Sequence, residues 1–129
     1  MDTKLVNSQL ISRKDVRVWF FDAGEEFRGS ATAVAENGLI FGVKLEPPRT
    51  ADPLAYWSEL RTRFKGRTLT VELSSPRTKR EMKVLVNDAV GTPKKGLLTV
   101  TAVFVTPPEP AWIKLLLEPV VTQVPKKKL

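Results

Sequence analysis

The stretch "DVRVWFFDAGEEFRGSATAVAENGLIFGVKL", residues 15–45, decides the fold of this 129-residue chain. From Asp15 to Phe21 the residues alternate. Val16, Val18 and Phe20 face one way and Arg17, Trp19 and Phe21 the other, which is the period of an extended strand. "DAGEE" is a turn in which Gly24 is free to take positive φ. The next strand, Phe27 to Ala35, sets Phe27, Gly29, Ala31, Ala33 and Ala35 on one face. A row of small residues lets another element, or a ligand, approach the backbone closely. "ENG" (36–38) signals a tight turn, and Leu39, Phe41, Val43 and Leu45 alternate after it. Three strands joined by short turns predict an antiparallel meander.

Working outward, "EPPRTADP" (46–53) interrupts the strands. Asp52 followed by Pro53 starts a helix, because aspartate caps free amides and proline suits the first helical position. Leu54, Trp57, Leu60 and Phe64 recur at helical spacing and predict the face that packs on the sheet, and Gly66 ends the helix. Strands resume at 67–74, 80–90 and 96–105, joined by the turns "SPRTK" and "GTPKKG". A short helix from about Pro110 closes the fold. Its Trp112, Ile113, Leu115, Leu116 and Leu117 are too apolar to stand in water, so it plugs a barrel, covers its side or meets another subunit. The expectation is a mainly β protein: a six-stranded antiparallel barrel with an inserted helix and a C-terminal helix. Closure removes the edges that a strand-rich chain otherwise exposes. Residues 1–12 read as a flexible segment, 13–120 as the barrel domain and 121–129 as a basic tail.

Composition narrows the function. Lysine and arginine outnumber the acids 21 to 14, giving a net charge of +7 and favouring an anionic partner. There is no cysteine and no histidine, which excludes a disulfide scaffold, a Cys/His zinc site and the commonest general base. The N-terminus has no apolar core of a secretory signal, and no run is long enough to span a bilayer, so the expected location is cytoplasmic. The acids Asp15, Asp22, Glu25, Glu26, Glu36, Glu46, Glu72 and Asp88 form no recognisable catalytic pair or metal spacing, and phosphate-binding glycine motifs are absent. The chain reads as non-catalytic, with no cofactor and no metal.

Two kinds of binding site remain. The basic turns and tail carry Arg77, Lys79, Arg80, Lys94, Lys95 and "PKKK" (125–128). Non-specific RNA or DNA binding needs such charges on one face beside exposed aromatics, and solvated turns are the stronger reading. The other candidate is Arg13 with Arg17. In a straight strand, residues four apart share a face but lie roughly 13 Å apart, too far to grip one phosphate. In a bend before Val18 the two guanidinium forks converge on one anion, and each is suited to phosphate or guanine.

"RKDVR" (13–17) resembles the Arg-x-x-x-Arg motif that opens PilZ domains, bacterial receptors for cyclic di-GMP. The second motif of that family, Asp/Asn-x-Ser-x-x-Gly, corresponds to "AVAENG" (33–38). Gly38 keeps its place, whereas Ala33 stands for Asp/Asn and Ala35 for Ser. The resemblance extends through "KGRTLTVEL" and "LLTVTAVFVTPPEPAWIKLL", although the gap between the motifs is short and the inserted helix unusually substantial. It implies a signalling barrel in which Arg13 and Arg17 hold the ligand, Gly38 turns the backbone beside it, and positions 33 and 35 have lost their polar groups. Weak or absent cyclic di-GMP binding follows, with a remaining role as an adaptor for a signalling or motility protein.

Overall fold

A computed structural model describes residues 5, 9–10, 16–47, 49 and 52–118. The strands are β1 (Gln9–Leu10), β2 (Arg17–Asp22), β3 (Glu25–Val34), β4 (Gly38–Lys44), β5 (Thr68–Ser74), β6 (Lys79–Thr92) and β7 (Leu97–Phe104). Helix α1 (Pro53–Phe64) lies between β4 and β5, and α2 (Pro110–Leu117) follows β7. All pairings are antiparallel, and the ring β3-β2-β5-β6-β7-β4 closes through β4 on β3 into a six-stranded barrel. β1 falls within the segment expected to be flexible. It pairs Gln9 with Val34 and Leu10 with Ala33, so β1 and β2 share one edge of β3 end to end.

Local chemistry explains the elements. Asp22 pairs directly with Glu25, leaving a two-residue turn in which Ala23 (φ 53°) and Gly24 (φ 79°) are both left-handed. That hand matches the twist of the flanking strands. The Asp52 carboxylate accepts the Leu54 amide at 3.0 Å and caps α1, with Pro53 at its first position. Gly66 (φ 80°) follows its C-terminus. Among the expected packing residues of α1, Trp57, Leu60 and Phe64 are buried but Leu54 is 76% exposed. Leu54 sits in the first turn of α1, and helical spacing alone does not tell which turns of a helix meet the sheet.

Inside the barrel, Phe20 stacks on Phe27 at 5.0 Å, and Phe41 and Phe64 meet Phe20 edge-on. Trp57 presses on β6 where Gly91 has no side chain. The expected row of small residues on β3 breaks at Thr32, where the register with β4 shifts between Ala31 and Ala33. One extra residue reverses the side-chain phase. Ala31 and Val34 therefore join the core cluster while Ala33 does not.

Helix α2 packs intramolecularly. Leu116 is fully buried, and Trp112, Ile113 and Leu117 lie against the core. Arg80 pairs with Glu109 at 2.8 Å, Arg77 with Glu118 at 3.5 Å, and the Trp112 indole donates to the Thr78 hydroxyl. Both ends of the helix are thus fastened to the β5–β6 hairpin. Among the described residues no helix is long and apolar enough to cross a membrane. The tail 121–129 lies outside the described residues.

Candidate functional site

Alternation on β2 sends Arg17, Trp19 and Phe21 outward, and register sets their neighbours. On β3, Arg17 faces Ser30, Trp19 faces Arg28 and Phe21 faces Glu26. On β5, Arg17 faces Ser74 and Trp19 faces Glu72. Ser30 in turn faces Gly42 of β4. The result is an open groove of about 660 Å³ across the outer wall, bounded by these residues other than Phe21 and Glu26, with Lys44 of β4 and Leu97 of β7. Gly42 and Ser30 lower its floor, and the Leu97 side chain leans to 3.0 Å from where a Cβ on Gly42 would stand.

Its electrostatics are mainly cationic. Arg17 and Lys44 make no ion pair with a described residue. Arg28 lies over the Trp19 ring at 5.5 Å and pairs with Glu26 at 3.1 Å, while the Trp19 indole donates to the same Glu26 oxygen at 2.8 Å. The Arg28 hydrogen bond, followed by that of Trp19, holds the Glu26 carboxyl below the usual carboxylate range. Phe21, 56% exposed, tilts against Trp19.

A tighter network joins the β2–β3 turn to α1. Asp22 is nearly buried and pairs with Arg63 at 2.7 Å and Arg67 at 2.8 Å. Arg63 also reaches Glu25 at 3.0 Å and the Asp22 carbonyl. Burial works against its charge, but Asp22 and Glu25 outweigh this and raise its pKa above the ordinary guanidinium value. This is a structural fastening: every member is paired.

Of the sequence-predicted site residues that are described, only Arg17 lines the groove. Arg13 lies outside the described residues. Ala33 (2% exposed) is flanked by Leu10 of β1 and Ile40 of β4, and Ala35 (1%) follows the end of β3, its amide donating to the Gly38 carbonyl. Ala33 stands three residues beyond Ser30, about 10 Å along the strand. Gly38 opens β4 with φ outside the left-handed region. A Cβ there would come within 2.2 Å of the Ala102 carbonyl oxygen, so close strand packing, rather than turn conformation, calls for glycine.

Arg28, Ser30, Gly42 and Lys44 were not singled out from sequence. Alternation marks them as outward-facing, but only the β2–β3–β4 register brings them together. The basic turns do not combine. Those after β5 and after β6 lie at opposite ends of the 14-residue β6, and Arg77 and Arg80 are engaged by the acids bracketing α2.

The fold is similar to that of the Bacillus subtilis inhibitor of motility MotI/DgrA, with a TM-score of 0.53 and 16% identity over 90% of this chain. The chain spans 48% of that protein's length. No family model and no curated protein sequence matches it.

Proposed function

We propose that this chain is a non-catalytic, PilZ-like signalling module of the bacterial cytoplasm, acting as an adaptor through protein contacts and having lost effective cyclic di-GMP binding. The observation that carries this reading is the burial of Ala33 within β3 and of Ala35 just after it. Neither offers a side-chain donor or acceptor where the resembling family carries Asp/Asn and Ser. A hydrogen bond to a charged group is worth about 1.5–3 kcal/mol, so losing two weakens binding by roughly a hundredfold or more. The barrel's likeness to a motility inhibitor supports a regulatory role, with a motility or signalling protein as the partner class.

The test is calorimetry with cyclic di-GMP on the wild type and Arg17→Ala. No saturable heat at high protein concentration is the expected result. Saturable heat abolished by Arg17→Ala would overturn the adaptor reading and restore a receptor. The alternative of non-specific nucleic-acid binding draws less support, because its candidate charges are divided between two barrel ends and partly neutralised.

A further inference from the structure

The groove runs across the strands rather than along them, drawing on β5, β2, β3, β4 and β7. With adjacent strands about 4.8 Å apart, five strands give a length of about 19 Å, the span of roughly six extended residues. Its centre is a concentration of like charge. Continuing the Ser30–Gly42 register by two residues sets Arg28 opposite Lys44, and like charges directly opposite are destabilising. Arg28 is relieved by Glu26, whereas Lys44 and Arg17 have no described acid partner. An anion laid across the floor relieves both.

We propose that this groove docks an extended, acidic segment of a partner protein; the inference rests on the adaptor reading above. The lining selects a peptide over a nucleic acid. A polynucleotide carries a negative charge at every step and would meet Glu72 at one end of the groove. Arg28 also covers the Trp19 ring on one face, which limits base stacking. A peptide presents amide donors to Glu72, carboxylates to Arg17, Arg28 and Lys44, and apolar side chains to Leu97 and Trp19. The missing side chain at Gly42 lets its backbone lie close to the barrel wall.

The test is fluorescence anisotropy of the full chain with a dye-labelled peptide of aspartate and leucine, about six residues long. A lysine-for-aspartate peptide and a labelled oligothymidylate of similar length serve as comparisons. Saturable binding of the acidic peptide alone is expected. Lys44→Glu is expected to weaken it about tenfold or more without lowering the melting temperature, since the new carboxylate faces Arg28. Flat anisotropy, an affinity unchanged by Lys44→Glu, or tighter capture of the oligothymidylate would overturn the proposal. Calorimetry on the same preparation separates the two failures. Flat anisotropy with no cyclic di-GMP heat removes the groove assignment alone, whereas saturable cyclic di-GMP heat removes the adaptor reading beneath it.

Discussion

Gly38 is the position at which a motif and a packing requirement make different predictions. If glycine stands there only to serve a ligand, Gly38→Ala leaves stability unchanged. The structure predicts otherwise. An added Cβ would lie 2.2 Å from the Ala102 carbonyl oxygen and 2.8 Å from a Leu5 methyl group. The leucine can rotate, but the carbonyl belongs to the β4–β7 ladder, where Gly38 pairs with Val103 and Leu39 with Ala102. Restoring ordinary contact needs about 1 Å of strand separation, which stretches neighbouring hydrogen bonds from about 2.9 Å toward 4 Å. Losing two such bonds, or absorbing the equivalent overpacking, costs about 2–3 kcal/mol. The lower unfolded-state entropy of alanine returns about 0.5–1 kcal/mol. The net loss is about 2 kcal/mol, equivalent to a fall in melting temperature of roughly 6–12 °C for a domain of this size. Thermal and urea unfolding followed by circular dichroism would measure it, with an unchanged m-value as the check that only stability moved. A Gly38→Ala protein melting within about 2 °C of wild type would refute the packing argument.

Other consequences can be checked in the same assays. Gly91→Ala drives a methyl group to 2.6 Å from the Trp57 ring and should destabilise by about 1–2 kcal/mol, with Trp57→Leu rescuing part of the loss in a double-mutant cycle. Arg63→Ala leaves the nearly buried Asp22 with Arg67 as its remaining arginine partner and should cost about 2 kcal/mol by denaturant unfolding. The hydrogen bond from Arg80, with a smaller contribution from its own backbone amide, holds the Glu109 carboxyl below its ordinary pKa. Its contribution is therefore present above the unfolded-state pKa and disappears as the pH falls through the lower folded-state value. Acidification should loosen α2, read as a change in Trp112 emission, and Glu109→Gln should show that loosening already at neutral pH.

Much of the fold was legible along the chain because its causes are local. Alternation at Val16, Val18 and Phe20 marked β2, and Asp52–Pro53 marked the start of α1. The turn at Gly24 announced a hairpin. Each is a choice made within a few residues by sterics, capping or pleat. The arginine at position 17 was legible as a candidate for the same reason, since it stands on the outward face of a strand whose inward face is apolar.

The groove was not legible in that way, because none of its walls is local. Arg17 meets Ser30 through a hairpin register, Ser30 meets Gly42 through another, and Leu97 arrives from the far side of the closed ring. The Thr32 bulge removed Ala33 from the face that simple alternation assigned to it. The Asp22–Arg63 pair joins residues 41 apart in sequence. The sequence by itself determined the strands, the helix start and the positive charge, which depend on near neighbours. Only the tertiary structure decided which outward side chains share a site, because barrel closure and strand register set distances that no single segment contains.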